Sequence, residues 1–386
     1  MTPTPPAHVH AHAPDAEAAA AAAAPEFSAD ADPAAAPGFT PERILLIGYA
    51  QLRRYGQTRV SWFRKLERGL VREGHHVLFF SDRDVAAFEA PFGWRDLGRG
   101  KANRRLIETA AAYAPTLILI GHADIITDQT LEKLKRIHDV PLAHLNNDPL
   151  FVPENVSRIR RRLGVCDRAF VSTGPRTLGE FFPEAAGRVH HMPNPVDPAV
   201  ERFDASATPA AGLRRDLVFC GNATKHTRRH ELLSGLKADL PADVRFDTFG
   251  LFGTPPVWGT AYDDVLRTSA MGLNLNRAEG HHWYSSARMA QLAGNGVLVI
   301  THAGNGFDTL LPPGTAVYYE TADELKDQVV HFSRHDDERR ERAARLRAFF
   351  RAEINNRRYA RHIVETALGR PWSRTYVWAD PPDAGV

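Results

Sequence analysis

Six cationic or hydroxyl side chains lie close together after the apolar run "LNLN" in the second half of the sequence. They are Arg277, His281, His282, Ser285, Ser286 and Arg288. The first N–H groups of a helix have no partner within it and carry partial positive charge, so a helix opening at the serines would attract anions. With guanidinium groups beside it, this pattern favours a diphosphate bound without a metal ion. The alternative is that each serine only caps the helix and each arginine pairs with a surface carboxylate.

A second polar group follows the apolar run "LVFC". Gly221 and Asn222 end this run, and Lys225, Arg228 and Arg229 come directly after them. In open α/β sheets, ligands bind beyond the carboxyl ends of the strands, so cations at two successive strand ends strengthen the expectation of a phosphate site.

The first half carries a candidate acid or base in the same kind of position. His122 and Asp124 follow the run "LILIG", and Asp148 ends the run "LAHLNND". An imidazole or a carboxylate at a strand end could remove a proton from a bound hydroxyl group. A structural, hydrogen-bonded histidine is the alternative at this position.

Short apolar runs alternate with longer amphipathic ones after Pro41, which is typical of parallel strands covered by helices on both faces. The runs lie at 43–48, 75–82, 116–124, 141–148, 168–173 and 188–193 in the first half, and at 216–222, 245–250, 271–276, 297–302 and 316–320 in the second. The Pro- and Ala-rich stretch 194–212 interrupts the alternation and predicts a linker. The sequence therefore predicts an α/β fold with two doubly wound domains, at 39–200 and 201–370. Amphipathic helices would end the second domain, and a tail would follow at 371–386.

Composition excludes several classes of protein. The net charge is +2, with 48 basic and 46 acidic residues, so no global field attracts nucleic acid or an anionic membrane. The arginines of "SRIRRRLG" are a weak basis for nucleic-acid binding, and a basic helix face, near a membrane, is the preferred interpretation of that segment. Cys166 and Cys220 are the two cysteines, which argues against a disulfide framework and for a reducing cytoplasm.

The first 38 residues differ from the rest of the chain. They are rich in Pro and Ala and poor in large apolar side chains, which predicts a disordered tail. No apolar run reaches the roughly 20 residues that span a bilayer, and no basic residue precedes the alanine run as in a secretory signal. Asp30 with Asp32, and the histidines His8, His10 and His12, could bind metal only adventitiously without a scaffold.

Three common enzyme motifs are missing from the sequence. The first strand is not followed by G-x-G-x-x-G, which weakens a hydride-transfer interpretation, and neither a Walker A sequence nor a G-x-S-x-G elbow is present. From the residues alone, the prediction stops at a two-lobed α/β protein with a phosphate-binding second lobe.

Several segments of the second half resemble a known enzyme family in order and spacing. They are "DLVFCGN", "YDDVLRTSAMGLNLNR", "SSARMAQLAGNGVLVITHAG", "VYYETADELKDQVVHF" and "INNRRYARHIVETAL". Together they resemble the CgeB-like (spore maturation type) glycosyltransferases, which belong to the GT-B group of nucleotide-sugar enzymes. The resemblance implies a GT-B fold of two Rossmann-like domains that face each other across a cleft.

The resemblance also implies roles for particular residues, and no cofactor or bound metal ion. A nucleoside diphosphate sugar would bind the second domain and the acceptor would bind the first. The implied donor-binding residues are Gly221, Asn222, Lys225, Arg228, Arg229, Asn274, Asn276, Ser285, Ser286, Arg288 and Gln291, with His122 and Asp124 as candidate catalytic residues.

Gln291 is the clearest departure from the family pattern. The family usually has a carboxylate three residues after the arginine, in a position that holds the nucleotide ribose, whereas this chain has a neutral amide. An amide still hydrogen-bonds a hydroxyl group, but less strongly than a carboxylate.

The resulting hypothesis is a cytoplasmic, metal-independent glycosyltransferase that can associate with the inner face of the membrane. Its acceptor would be a cell-surface saccharide, a lipid-linked glycan or a protein, and its oligomeric state is open. Two alternatives stay open: a non-catalytic nucleotide-sugar-binding module and a sugar-nucleotide epimerase on the same scaffold.

Overall fold

The computed structural model describes residues 39–53, 56 and 60–380. The predicted disordered tail, with its Asp30–Asp32 pair and three histidines, lies outside the described residues. Within them the chain forms two parallel β-sheets, and each predicted apolar run contains a strand. The α/β prediction is confirmed.

The first sheet has six parallel strands in the order β2-β1-β3-β4-β5-β6. They are β1 (Arg43–Gly48), β2 (His76–Ser81), β3 (Leu117–Ile120), β4 (Leu142–Asn146), β5 (Arg168–Val171) and β6 (Val189–His191). The helices between them are α1 (Trp62–Arg72), α2 (Asp82–Phe88), α3 (Arg99–Tyr113), α4 (Asp128–His138), α5 (Pro153–Leu163) and α6 (Pro175–Phe181). Leu45 and Ile47 pack into one hydrophobic cluster, and Ile44 and Leu46 pack into another. Both faces of β1 are therefore buried, which explains its uninterrupted apolar sequence.

The second sheet has five parallel strands in the order β11-β10-β9-β7-β8. They are β7 (Arg215–Cys220), β8 (Phe246–Phe249), β9 (Ser269–Asn274), β10 (Leu298–His302) and β11 (Val317–Tyr319). The helices are α7 (Arg228–Asp239), α8 (Gly259–Arg267), α9 (Arg288–Gly294), α10 (Ala322–Arg334) and α11 (Asp336–Ala352). In the first sheet β1 lies between β2 and β3, and in the second sheet β7 lies between β8 and β9. The connections from these central strands run to opposite sides, so the loops after neighbouring strands diverge there and leave room for a ligand.

The last helix, α12 (Asn356–Ala367), returns to the first domain. Tyr359 and Ile363 are buried in the same cluster as Leu66 of α1. The predicted second-domain range of 201–370 is corrected here, because the apolar face of α12 is buried on α1. Residues 371–380, placed in the C-terminal tail, are also packed in part, since Tyr376 and Trp378 are buried beside His362.

The segment between the two sheets is attached at several points. Glu201 accepts a 2.6 Å hydrogen bond from Lys65 Nζ of α1, and both side chains are 2% exposed. Val196 pairs with the end of α11 and the start of α12 through backbone hydrogen bonds to Ile354 and Asn356. The predicted linker thus connects the domains as an anchored segment.

Candidate functional site

A cavity of about 610 Å³ opens beyond the carboxyl ends of β7 and β8. Phe249, Val257 and Trp258 form its apolar wall, and Val60 and Arg68 of the first domain close one side. Four of the predicted donor-binding residues line it, namely Gly221, Ser286, Arg288 and Gln291. The cavity therefore joins an apolar surface, suited to a flat ring, to a polar end that contains a guanidinium group.

Arg288 is the fixed cation of this cavity. Its Nε donates to the carbonyl oxygen of Cys220 at 2.9 Å, and its Nη1 donates to that of Leu275 at 3.1 Å. The guanidinium carbon lies 4.8 Å from the centre of the Phe219 ring. No carboxylate within the described residues forms an ion pair with Arg288, so its positive charge is available to an anionic ligand.

Gly221 leaves space for this arginine. A Cβ atom built on Gly221 would lie 2.8 Å from Arg288 Nη2 and 3.1 Å from Phe219 Cζ. The absence of a side chain at Gly221 thus allows the guanidinium group to lie against the end of β7.

Gln291 lines the cavity one turn further along α9. Its Oε1 accepts a 2.9 Å hydrogen bond from the hydroxyl group of Tyr262. Burial raises the pKa of Tyr262, so the tyrosine stays a neutral donor. Tyr262 and Trp258, both from the α8 region, were not among the predicted site residues, because nothing in their spacing sets them apart from core aromatics.

Neither of the two serines occupies the N-cap position of the helix. α9 begins at Arg288, and Ala287, at its N-cap position, makes no side-chain hydrogen bond. The Ser285 hydroxyl is buried and donates to Asn274 Oδ1 at 3.0 Å. Ser286 lines the cavity, and its Oγ accepts a 3.4 Å hydrogen bond from the backbone nitrogen of Arg288, the first residue of α9. Ser285 therefore positions the loop before α9, and Ser286 is the serine that a ligand could reach.

Asn274 and Asn276 organise the loop after β9. Asn274 is fully buried, and its amide donates to Thr301 Oγ1. Asn276 donates to the carbonyl oxygen of Tyr284 at 3.0 Å and is held by Glu279, whose carboxylate accepts from its backbone N–H at 2.9 Å. Glu279 was not predicted from the sequence, because it is a single carboxylate next to histidines and no motif marks its position. These asparagines act on the site through the loop and do not line the cavity.

The cations after β7 separate in the structure. Arg229 is buried and donates to the carbonyl oxygens of Asn222 and Asn276, so it joins the loops after β7 and β9. Arg229 does not line the 610 Å³ cavity, and its contact with phosphate stays a prediction that this inward placement does not favour. Arg228 is exposed at the start of α7, and Lys225 lines a separate open pocket of about 480 Å³.

His122 lies in a charged cluster at the carboxyl ends of β3 and β4. Its Nδ1 is 2.6 Å from Asp148 Oδ2, and its Nε2 is 2.9 Å from Asp124 Oδ1. Arg83 pairs with Asp124 at 2.6 Å, and Arg158 pairs with Asp148 at 2.7 Å. The first domain therefore presents a chain of alternating charges at this edge.

These pairings shift the proton affinities within the cluster. Hydrogen bonds to Asp124 and then Asp148 raise the pKa of His122. For Asp124, burial acts to raise the pKa, but the hydrogen bond and charge of His122 outweigh it and the pKa is lowered. The lowered pKa makes Asp124 a weaker base, and both ring nitrogens of His122 already lie within hydrogen-bond distance of carboxylates. The assignment of His122 or Asp124 as the base stays a prediction that this geometry does not favour.

Aromatic side chains join the two domains beside this cluster. The Phe151 ring, which follows β4, lies 5.4 Å from the His281 ring and 5.9 Å from the Tyr284 ring of the second domain. The backbone N–H of Gly174 also donates to the carbonyl oxygen of His282 at 2.6 Å. The loop after β9 thus contacts the first domain and the polar edges of both sheets face one another.

The basic segment "SRIRRRLG" forms part of α5, and its arginines are paired. Arg160 contacts Glu184 at 3.1 Å, and both Arg161 and Arg162 contact Asp128. These pairs neutralise much of the helix face that the sequence predicts to be basic. The segment therefore offers no concentrated positive charge to nucleic acid or to a membrane.

In the part of the chain that the structure describes, no group of three or more His, Cys, Asp or Glu side chains is placed to hold a metal ion. Metal independence stays a prediction. None of the described helices is both long and apolar enough to cross a membrane.

Residues 228–365 match a family model described as glycosyl transferase-like. The match runs from α7 into α12 and includes Arg288 and Gln291 of the cavity. It confirms the predicted glycosyltransferase class for this part of the chain. No curated protein matches the chain.

Solved glycosyltransferase structures share the fold over 84–85% of the chain. Sucrose-phosphate synthase from Thermosynechococcus elongatus aligns with a TM-score of 0.60 and 14% identity, over 84% of this chain and 98% of that one. Anabaena Alr3699/HepE, solved with UDP-glucose, aligns with a TM-score of 0.57 and 13% identity, over 84% and 99%. AviGT4, a glycosyltransferase of avilamycin A biosynthesis, gives a TM-score of 0.51 and 16% identity, over 85% and 97%. The predicted GT-B fold is thereby confirmed.

Proposed function

We propose that this protein is a GT-B glycosyltransferase that takes its sugar from a nucleoside diphosphate sugar bound in the 610 Å³ cavity. The observation that carries the proposal is Arg288, a cation without a carboxylate partner among the described residues, held against Gly221 at the polar end of that cavity. Glycosyl transfer releases a diphosphate, and a fixed guanidinium stabilises the negative charge that develops on it. Uridine nucleotides are the first donors to test, because the Anabaena structural relative was solved with UDP-glucose.

The remaining cavity wall suits the nucleoside. Phe249, Val257 and Trp258 provide an apolar surface against which a base can pack. Gln291, at the other side, provides an amide group that can bond a ribose hydroxyl. In this arrangement the base, ribose and diphosphate lie in that order from the α8 side of the cavity towards Arg288.

The first domain would hold the acceptor. The cluster of His122, Asp148 and Arg158 combines donors and acceptors of hydrogen bonds at the edge that faces the second domain. His122, which is held between Asp124 and Asp148, suits the orientation of an acceptor hydroxyl better than proton removal. A saccharide, a lipid-linked glycan and a protein all present hydroxyl groups that fit this proposal.

The finer parts of the proposal follow the sequence resemblance. The segments around "SSARMAQLAGNG" support a CgeB-like subtype, with a cytoplasmic location and a cell-surface polysaccharide as the end product. A metal-independent reaction fits a site in which the guanidinium of Arg288 can stabilise the charge of the leaving diphosphate.

A turnover assay tests this function. The purified protein is incubated with a panel of UDP, GDP, ADP and dTDP sugars, and released nucleoside diphosphate is measured with and without saccharide acceptors. We expect release from at least one donor, and an increase when the correct acceptor is present. Product analysis then distinguishes transfer from hydrolysis. If the protein binds a donor but no nucleoside diphosphate is released from any donor of the panel, the proposed catalysis is contradicted.

Gln291 favours one alternative, a non-catalytic nucleotide-sugar-binding module, because it replaces the carboxylate expected at this position. Such a module would bind donor with no turnover, and Gln291→Glu would then be expected to introduce it. An epimerase would convert donor without any acceptor, so the same assay separates all three.

A further inference from the structure

An aromatic patch lies on the surface of the first domain, and none of its residues lines the 610 Å³ cavity. Its exposed apolar side chains are Leu52, Phe88, Phe92, Trp94 and Leu97. Phe92 is 93% exposed and Trp94 is 67% exposed. Single exposed apolar residues are ordinary, but several large ones on one short segment mark an interaction surface.

The patch is one continuous surface. The Phe92 and Trp94 rings are 6.5 Å apart, and Arg53 Nη1 donates to the carbonyl oxygen of Gly93 between them at 3.2 Å. This bond ties the loop after β1, which carries Leu52, to the turn Pro91–Gly93. The two segments therefore expose their apolar side chains side by side.

The backbone of Phe92 is strained. Its φ of 54° lies in the left-handed region, which a bulky L residue rarely adopts. The ring of the same residue is 93% exposed, so burial of this side chain does not offset the strain within the described chain. Strained backbone is concentrated at functional sites, so the conformation of Phe92 suggests a binding surface.

Cations surround the patch. Residues 88–105 contain five basic and two acidic residues, and Arg95, Arg99, Lys101 and Arg104 are exposed. Among the described residues, Arg95, Arg99 and Arg104 form no ion pair, whereas Arg105 pairs with Glu89. Three unpaired arginines thus lie on the same stretch of chain as Phe92 and Trp94.

We propose that this aromatic patch docks the protein on an anionic lipid surface. Aromatic rings prefer the boundary between headgroups and acyl chains, and basic side chains are attracted to anionic headgroups. A second copy of the chain fits less well, because a two-fold contact through this patch would bring the two sets of arginines together. A lipid surface accepts both the rings and the charges.

The position of the patch relates it to the cleft. It follows β2 and touches the loop after β1, at the same carboxyl edge of the first sheet as His122. Arg83, at the start of α2, pairs with Asp124 of that cluster. A docked protein would therefore hold the edge of its acceptor side near the lipid surface. Docking itself needs neither donor nor turnover, so its test is independent of the proposed function.

Vesicle co-sedimentation of the full chain tests the proposal. We expect binding to vesicles of phosphatidylcholine with 30–40% phosphatidylglycerol, in roughly the anionic range of membrane surfaces, and about 100-fold weaker binding to phosphatidylcholine alone. The variant R95Q/R99Q/R104Q should bind anionic vesicles about 100-fold more weakly, since each surface cation contributes roughly fivefold. F92S/W94S should bind at least about tenfold more weakly.

Matched variants control for folding and for nonspecific adsorption. Ile137→Ser and Arg136→Gln change an exposed apolar residue and an exposed cation on α4, outside the patch, and should leave binding unchanged. Phe92→Gly removes the ring and relieves the positive φ, so it should fold at least as well as the parent chain and still bind more weakly.

Three results would overturn the proposal. One is equal binding to neutral and anionic vesicles, or none to either. Another is unchanged binding of Phe92→Gly and F92S/W94S. The third is a loss of dimer in F92S/W94S, measured by sedimentation equilibrium without lipid, which would make the patch an interface between two copies of the chain.

Discussion

The hydroxyl group of Tyr262 donates a 2.9 Å hydrogen bond to Oε1 of Gln291, inside the cavity that both residues line. This bond uses the carbonyl end of the amide, so the Nε2 group is the end that a ligand can reach. The amide at this position is therefore held by α8 and presents a donor where a carboxylate would present an acceptor.

Changes at Gln291 should alter nucleoside binding in a graded way. Gln291→Ala removes one hydrogen bond to the ribose and should weaken nucleoside diphosphate binding about tenfold. Gln291→Glu keeps the acceptor for Tyr262 and adds a charged acceptor for a hydroxyl, so it should strengthen binding of a ribonucleotide relative to its 2′-deoxy analogue. Isothermal titration measures both, and equal affinities in all three proteins would remove Gln291 from the site.

Gly221→Ala should displace Arg288. The added Cβ would lie 2.8 Å from Nη2, so the guanidinium must move away from the end of β7. We expect donor affinity to fall at least about tenfold. Gly235→Ala, at an exposed position of α7 where a Cβ meets nothing within 4 Å, is the matched control. Normal affinity in Gly221→Ala would show that Arg288 need not lie against the strand.

The buried ion pair between Lys65 and Glu201 should be important for stability. Lys65→Met would leave the Glu201 carboxylate buried and unpaired, at a cost of about 3–5 kcal/mol in the free energy of unfolding. Replacing both residues, in K65M/E201M, should recover part of that loss. Lys326→Met, in an exposed pair with Asp323, should change stability by less than about 0.5 kcal/mol. Urea unfolding measures all three, and a Lys65→Met effect as small as the control would contradict the assignment.

His144 should make the protein less stable in acid. Burial, with the nearby charges of Arg162 and Arg158, lowers the pKa of this fully buried imidazole to about 3. The folded state therefore keeps His144 neutral while the unfolded chain takes up a proton as the pH falls below about 6.5. Stability from this group is complete above that pH, and about 2 kcal/mol of it is lost by pH 5. The difference in unfolding free energy between the parent chain and His144→Gln should shrink by that amount from pH 7.5 to pH 5. A constant difference would contradict a neutral His144.

The fold was largely predictable because its strands are buried on both faces. Leu45 and Ile47 contact one helical layer and Ile44 and Leu46 the other, so the run "RILLIG" identifies a strand without any alternation. The same argument cannot show which sheet a terminal helix covers. α12 has an apolar face that either domain could bury, and only the packing of Tyr359 and Ile363 beside α1 assigns it to the first domain.

The candidate site was predictable in position but less so in the role of each side chain. Arg288 and Gln291 line the cavity, whereas Arg229 and Ser285 turn inward to satisfy buried carbonyl and amide groups. A strand-end position does not distinguish a ligand contact from a loop contact, because both need polar groups. Tyr262 and Trp258 come from α8, and their part in the cavity depends on how that helix packs.

Titration of the protein with nucleoside diphosphates tests the central claim most directly. Isothermal titration with UDP, GDP, ADP and dTDP, repeated on Arg288→Gln, asks whether the cavity binds a diphosphate through this arginine. Arg267→Gln on α8, where the arginine pairs with Asp264 at the surface, is the control. We predict that at least one diphosphate binds the parent chain and Arg267→Gln alike, and that Arg288→Gln binds it at least about 30-fold more weakly, as expected for the loss of a charge-assisted contact. Absence of binding by all four at millimolar concentration, or equal binding by Arg288→Gln, would contradict the account.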